Sequence, residues 1–188
     1  MARGTDDITQ NEGFPLEPLI RTIPDYPKAG IQFRDITTLL SDPAGLRASI
    51  DRIAKRYASA QIDCVAGIEA RGFIFGTAVA YALGVGFIPI RKSGKLPGET
   101  IGRDFVLEYG EDRIEIHKGA IEPGHRVLLV DDLIATGGTA EAALELLKEI
   151  EAVVVEAAFV VALPDLGGIH RLRKTGADVF WLSEFAGD

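Results

Sequence analysis

Short apolar runs alternate with segments of helical periodicity along most of this chain, and this alternation restricts the fold more than any other feature. Five runs have the length of a β-strand: CVAGI at 64–68, GFIPI at 86–90, RVLLVDD at 126–132, VVVEAAFVVAL at 153–163 and DVFWLS at 178–183. Three helical segments lie between them: 72–83, 139–150 and 168–174. Because the runs are apolar on both faces, the sequence predicts an α/β fold with a central, mainly parallel sheet flanked by helices.

The N-terminal part of the chain is less regular. Residues 1–13 are polar and are expected to be a disordered extension, while residues 14–188 are expected to form a single domain. A short amphipathic helix is predicted around Pro15–Ile23. A second helix is predicted to begin at Ser41-Asp42-Pro43, because a capping side chain there precedes a proline suited to a first helical turn.

Charge and cysteine content argue against several functional classes. The net charge of −8 argues against nonspecific binding to nucleic acid and to an acidic membrane surface. Cys64 is the only cysteine, so neither an intramolecular disulfide nor a cysteine-based zinc site is expected. The first residues lack an apolar signal core, and no run approaches the roughly 20 apolar residues of a membrane span. The sequence therefore predicts a soluble cytosolic protein.

The segment VLLVDDLIATGGTA, at 127–140, joins a predicted strand to a loop of small residues. The loop is Ala135-Thr136-Gly137-Gly138-Thr139. Its glycines let backbone N–H groups approach a ligand closely, the following helix start favours negative charge, and its threonine hydroxyls can donate to phosphate oxygens. The loop is therefore predicted to bind a phosphate, although it matches neither GxxxxGK[ST] nor GxGxxG.

Two adjacent carboxylates, Asp131 and Asp132, precede this loop. Carboxylates accept hydrogen bonds, so their natural partners are neighbouring sugar hydroxyls or a hydrated Mg²⁺ ion. A phosphate close to a vicinal diol describes ribose 5-phosphate. The segments EARG and RKSGK also follow predicted strands, and in a parallel sheet such strand ends meet at one ligand-binding edge.

VLLVDDLIATGGT resembles the phosphoribosyl-pyrophosphate signature of the type I phosphoribosyltransferases. Five further segments resemble the branch of that family that acts on adenine: PDYPKAGIQFRDITTLL, GIEARGFIFG, IRKSGKLPGET, LEYGEDRIEIHKGAI and PDLGGIHRL. The resemblance implies the type I phosphoribosyltransferase fold, with a small N-terminal hood at about 14–40 and a flexible lid containing a β-hairpin. It implies transfer of ribose 5-phosphate from phosphoribosyl pyrophosphate to adenine, giving AMP and pyrophosphate in purine salvage. A homodimer is also implied.

For the pyrophosphate, the resemblance implies contacts from Ala70 and Arg71, which follow a strand and open a helix. It also implies contacts from Lys95 and Arg91, with Arg91 near the site of the neighbouring subunit. The stretch SGKLPGETIGRD, at 93–104, contains three glycines and a proline and is predicted to be part of the mobile lid. The alternating segments DFVLEYG and DRIEIHKG predict the hairpin, with Gly110-Glu111 near its turn.

For the base, the resemblance implies that Glu108 handles the ring-nitrogen proton, with Tyr109 beside it in the lid. Hypoxanthine and guanine transferases carry an aspartate where this chain has Ala135, and that aspartate acts on the base. Alanine cannot transfer a proton, so another residue has to do so here. The backbone of Gln32, Phe33 and Arg34 is expected to contact the edge of adenine, and the Phe33 ring its face.

Leu163 is expected to close the opposite face of the base. Mg²⁺ is expected as the cofactor and to bind through the substrate rather than through protein ligands, with Asp131 as the one candidate contact.

Two alternatives remain open on the sequence: a transferase for another purine base, and a noncatalytic regulator that senses phosphoribosyl pyrophosphate in the same pocket.

Overall fold

The structure, a computed structural model, describes residues 13–107 and 110–187. Its strands are β1 (Arg21–Pro24), β2 (Gln32–Asp35), β3 (Cys64–Ile68), β4 (Gly86–Lys92), β5 (Thr100–Leu107), β6 (Gly110–His117), β7 (Arg126–Ile134), β8 (Val153–Ala162) and β9 (Val179–Glu184). Its α-helices are α1 (Thr37–Ser41), α2 (Pro43–Tyr57), α3 (Gly72–Leu83), α4 (Gly138–Glu149) and α5 (Gly168–Lys174). Short 3₁₀ turns span Glu17–Leu19 and Pro164–Leu166.

The central sheet has seven strands in the order β5-β6-β4-β3-β7-β8-β9. Strands β4, β3, β7, β8 and β9 are mutually parallel, whereas β6 and β5 continue the sheet in antiparallel pairing. This confirms the predicted α/β fold with a mainly parallel sheet. The chain passes from β3 to β4 on one side and to β7 on the other, so β3 and β7 form a switch point of the kind that binds ligands beyond its strand ends.

Both faces of the sheet are buried, which explains the continuous apolar runs. Along β7, Val127 and Leu129 pack with α4 and α5, while Leu128 and Val130 face α2 and α3. Cys64 is buried in the first of these two cores. No helix in the described ranges is both long and apolar enough to span a bilayer.

The predicted helix at Pro15–Ile23 is wrong. Only a 3₁₀ turn forms at Glu17–Leu19, and β1 follows it directly, pairing antiparallel with β2 in a separate two-stranded sheet. Pairing with β2 satisfies the backbone groups that a helix would otherwise bond internally, so a tertiary contact overrides the local pattern. The predicted start of α2 is confirmed, because the Asp42 carboxylate accepts a hydrogen bond from the Gly45 amide at 2.7 Å.

The hairpin of β5 and β6 is confirmed, but it begins earlier than the sequence predicts. Pairing runs from Thr100 opposite His117 to Leu107 opposite Gly110, so the last five residues of the stretch 93–104 are strand. Gly102 allows this pairing because it has no side chain. A Cβ at this position would lie 2.7 Å from Nε of Arg113, on the neighbouring strand, and would collide with that side chain. The segment without strand or helix between β4 and β5 is therefore 93–99.

Candidate functional site

The loops after β3 and β7 meet at the switch point of the sheet. The Nε atom of Arg71 lies 2.6 Å from Oδ2 of Asp132 across this gap. The next residue, Gly72, starts α3 so close to β7 that an added Cβ would lie 2.7 Å from Oδ1 of Asp131. Arg71 and the two carboxylates, which the sequence assigned to different parts of one ligand, are therefore direct neighbours.

The carboxylate pair is electrostatically unfavourable without a ligand. Burial and the neighbouring Asp132 charge raise the pKa of Asp131 well above its ordinary value, although its side chain keeps some access to solvent. Asp132 is 5% exposed, and among the described residues no donor makes a hydrogen bond to its Oδ2 despite the nearby Arg71. A buried acceptor without a donor is costly. Hydroxyl groups or a cation brought by a ligand would relieve both costs.

The small-residue loop 135–139 encloses a cavity of about 140 Å³, lined by Asp131 and residues 133–140. Gly137 has a left-handed φ of 79° and precedes the first residue of α4. The amide groups at the start of α4 therefore face a space of the size of a phosphate group, in the geometry that favours anions. All five loop residues predicted to bind a phosphate line this one cavity.

Helix α5 supports this loop from beneath. The Gly168 amide donates to the Ala135 carbonyl at 3.0 Å, and a Cβ at Gly168 would lie 2.2 Å from that oxygen. A Cβ at Gly137 would lie 2.9 Å from Cδ1 of Leu172, on α5. Sequence reasoning assigned Gly168 no role, although its position at the start of a predicted helix was a signal.

Arg91 and Lys92, at the end of β4, and Lys95, which follows it, form a basic cluster at the same edge of the sheet. Arg91 donates to the Glu69 carboxylate at 3.0 and 3.2 Å and to the Lys95 carbonyl at 3.0 Å. Glu69 also accepts from the Lys92 amide at 3.0 Å, and the Arg91 contact in particular holds the pKa of Glu69 below its ordinary value. These bonds connect Arg91 to the loop after β3 and to segment 93–99, and the Lys95 side chain is exposed.

Ala70 lies between Glu69 and Arg71 in the short loop 69–71, and the Glu69–Ala70 peptide bond is cis. A second cavity, of about 160 Å³, connects this loop with the other candidate elements. Its lining includes Glu69, Lys92 and Asp112, together with Thr139 from the small-residue loop. The basic cluster and the phosphate-sized cavity therefore border a common space.

Glu115 binds the first two residues of segment 93–99, Ser93 and Gly94. The sequence analysis did not identify this role of Glu115. Its carboxylate is 9% exposed and accepts from Ser93 Oγ at 2.9 Å and from the Gly94 amide at 3.1 Å. The Ser93 hydroxyl, followed by the Gly94 amide, holds the pKa of Glu115 below its ordinary value. In the segment DRIEIHKG, Glu115 alternates with the apolar Ile114 and Ile116 and so falls on the predicted outward face of the strand, and the pattern therefore contains no signal for its burial.

The base-binding candidates come from two separate elements. Gln32, Phe33 and Arg34 form most of β2 and are half-buried, and the Phe33 ring packs edge-on against Tyr26 at 5.2 Å between centroids. Leu163 follows β8 and its amide donates to the Ile134 carbonyl at 2.9 Å, which puts it beside the small-residue loop. Glu108 and Tyr109 lie outside the described residues.

Known proteins with this arrangement are similar over nearly the whole chain. Residues 35–179 match the phosphoribosyl transferase domain. An adenine phosphoribosyltransferase of Nitrosospira multiformis is 66% identical over 169 residues, covering 90% of this chain and 97% of that protein. One of Methylobacillus flagellatus is 61% identical over 170 residues, with the same coverage. The crystal structure of an adenine phosphoribosyltransferase from Thermoanaerobacter pseudethanolicus has a TM-score of 0.85 at 46% identity, covering 90% of this chain and 98% of that one.

Proposed function

The chain belongs to the phosphoribosyl transferase family, and we infer that it is an adenine phosphoribosyltransferase. It transfers ribose 5-phosphate from phosphoribosyl pyrophosphate to adenine, giving AMP and pyrophosphate in purine salvage. A related enzyme from Saccharomyces cerevisiae, 40% identical with a TM-score of 0.83, has been crystallised with adenine and a bisphosphate; 94% of this chain and 98% of that one are covered.

One observation carries the assignment of the substrate groups. The phosphate-sized cavity and the acidic pair are adjacent, since Asp131 lines that cavity. Amide groups of loop 135–139 would bind the 5-phosphate, while Asp131 and Asp132 would accept hydrogen bonds from the ribose hydroxyls. The spacing of an anion site and a diol site on one strand-loop unit fits a pentose phosphate.

Positive charge for the leaving pyrophosphate would come from Arg71 and Lys95, together with the Ala70 backbone. Arg91 organises this cluster through Glu69 and the Lys95 carbonyl. As pyrophosphate departs, positive charge develops on the ribose carbon, and water would capture that carbon if it could enter. Segment 93–99 and the hairpin are the elements suited to exclude water as a lid.

Glu108 would manage the ring-nitrogen proton of adenine, because Ala135 has no group that can do so. Tyr109 would accompany it in the lid. The β1–β2 sheet would form a hood over the base, with backbone groups of Gln32–Arg34 at its edge. Leu163 would pack on the face opposite the Phe33 ring.

Mg²⁺ fits this site as a partner of the substrate. Among the described residues no group of three or more histidine, cysteine, aspartate or glutamate side chains could hold a metal ion alone. Oδ2 of Asp132 is in an ion pair with Arg71 but accepts no hydrogen bond from the described residues. This oxygen and the half-buried Asp131 carboxylate suit a cation whose other ligands are substrate oxygens. When bound, the ion would neutralise charge on the diphosphate.

We also propose a homodimer in the cytoplasm. Ile74 and Tyr81 on α3 are 44% and 90% exposed, which suits burial against a second copy. A substrate with several phosphate charges does not cross a bilayer, so the enzyme would share a compartment with the reactions that make it.

The test combines a panel of bases with one variant. We expect pyrophosphate release with adenine and not with hypoxanthine, guanine or xanthine. Glu108→Gln should lower kcat about 10²- to 10⁴-fold while binding of phosphoribosyl pyrophosphate is retained. Glu122→Gln, an exposed acid far along the chain, serves as the control. A preference for a 6-oxopurine would contradict the base assignment, and unchanged turnover would remove Glu108 from the mechanism.

A further inference from the structure

The segment 185–187, directly after β9, connects parts of the molecule that are distant in sequence. The Phe185 amide donates to the Ala162 carbonyl at the end of β8, at 3.1 Å. The Gly187 amide donates to the Asp165 carboxylate, in the 3₁₀ turn that follows Leu163, at 2.8 Å. The segment is thus fixed to both sides of Leu163, one of the two elements assigned to the base.

The same segment is fixed to β2 through the side chain of Arg34. Its Nη2 donates to the Ala186 carbonyl at 3.0 Å, and its guanidinium carbon lies 4.7 Å from the centre of the Phe185 ring. Its Nη1 donates to Thr22 Oγ1, on β1, at 2.5 Å. The guanidinium therefore joins both strands of the two-stranded sheet to residues 185–186.

The two-stranded sheet depends on such contacts for its position. Two strands alone are at best marginally stable in water, so outside contacts determine where they lie. The contacts of the Arg34 guanidinium are directional because the group is planar. Its plane fixes the directions of the Nη1 and Nη2 donors and also the face that stacks on the aromatic ring. A shift of β2 by a fraction of an ångström would change every backbone hydrogen bond that it makes to a base.

We propose that residues 185–187, acting through Arg34, are a positioning segment for the base. They set the separation between the backbone of Gln32–Arg34 on one side and Leu163 on the other. This inference rests on the proposed function, because that function assigns these two elements to adenine. Neither Phe185 nor the Arg34 guanidinium is a catalytic group; both act through the placement of β2.

Two substitutions test the proposal in the full-length chain. Arg34→Lys keeps the backbone and the charge but removes the fork and the stacking plane, and Phe185→Ala removes the ring. Each should raise the KM for adenine about tenfold, while kcat and the KM for phosphoribosyl pyrophosphate stay within about twofold. Because both changes break one shared contact, the double variant should show much less than the product of the two effects. Phe185→Tyr keeps the aromatic ring, so the KM of this variant for adenine should equal that of the unmodified protein.

Arg173→Lys is a matched control, since the exposed Arg173 makes a similar contact with Trp181 of β9, at 5.8 Å from the ring centre, and Trp181 packs against the core that contains α4 and α5. It should leave the KM for adenine unchanged. Equal increases in the KM of both substrates, or an unchanged KM for adenine in both test variants, would overturn the proposal. If the unmodified protein forms no AMP from adenine, the proposed function fails instead, so the two failures are distinguishable.

Discussion

Two loops at the same edge of the sheet are built in opposite ways. Loop 135–139, after β7, is wedged against α5, with no room for a Cβ at Gly137 or at Gly168 beneath it. Segment 93–99, after β4, is mostly exposed, and a Cβ at Gly94 or Gly98 would meet nothing within 4 Å. One loop is held by packing along its length. The other is held by separate hydrogen bonds: those of the Glu115 carboxylate at its start, that of Arg91 to the Lys95 carbonyl and that of the Lys118 amide to the Glu99 carbonyl at its end.

This difference matches what each loop has to do in the proposed reaction. The 5-phosphate is common to substrate and product, so the group that binds it can stay rigid throughout the cycle. Pyrophosphate has to leave, and a segment that closes over it has to open again. Elements that move in a catalytic cycle are expected to have few buried contacts, as segment 93–99 does.

The largest expected effect is that of Gly168→Ala. The new Cβ would collide with the Ala135 carbonyl, which lies 2.2 Å from its position, and would push the phosphate loop upward. A displacement of about 1 Å at a substrate-positioning loop can cost about 10²-fold in rate, so kcat/KM for phosphoribosyl pyrophosphate should fall by that order. Gly86→Ala is the control, because a Cβ there meets nothing within 4 Å. Near-normal activity of Gly168→Ala would show that the loop is not held rigid by α5.

Asp131→Asn should come second, with opposite effects on binding and stability. Loss of a charged acceptor for ribose should raise the KM for phosphoribosyl pyrophosphate about tenfold or more. Since burial raises the pKa of Asp131 above its ordinary 3.8, the folded protein holds this proton more tightly than the unfolded chain. The free energy of unfolding therefore falls as the pH rises from that ordinary value through the raised one.

At pH 7, above its ordinary value, the raised pKa of Asp131 thus lowers the free energy of unfolding, and the asparagine variant, which has no carboxyl group to titrate, should melt a few degrees higher. A gain of about 1 kcal/mol corresponds to about 2–4 °C in Tm for a chain of this size. Thermal unfolding followed at pH 7 and at pH 3.5 checks the sign, because the gain should disappear in acid. A lower Tm at pH 7 would mean that the carboxylate is stabilised by partners such as Arg71.

Glu115→Gln should have a smaller effect, confined to the lid. The amide can still accept from one donor, but it loses the charge that binds both Ser93 and the Gly94 amide. We expect a KM for phosphoribosyl pyrophosphate about three- to tenfold higher, with an unchanged KM for adenine. Asp63→Asn removes the charge of another carboxylate that accepts from a backbone amide, that of Arg126, at 2.7 Å, and it should leave both constants unaltered.

Gly98→Ala should have the smallest effect and completes the comparison between the loops. The site is spacious, but its φ of 87° is unfavourable for alanine, which costs about 1–2 kcal/mol when the conformation is retained. An exposed segment can relax to avoid that cost, so the KM values should stay within about threefold. A loss as large as that of Gly168→Ala would mean that segment 93–99 is as rigid as the phosphate loop.

Much of the fold follows from local patterns. The apolar run 64–68 and the helical segment 72–83 match β3 and α3, because burial on both faces leaves a continuous apolar signature and helix α3 has no competing partner. The helix predicted at Pro15–Ile23 failed where pairing with β2 outweighed a short pattern. The roles of Glu108 and Tyr109 remain predictions.

The sequence by itself determined the order of strands and helices from β3 onward, the acidic pair and the loop of small residues, because each is encoded by neighbours along the chain. Only the tertiary structure decided that Gly168 lies under Ala135, that Glu115 holds Ser93 and that Arg34 binds residues 185–186. These contacts join residues that are far apart in sequence. Their geometry depends on how helices and strands pack against one another, and hydrophobic periodicity carries no information about which polar groups that packing brings together.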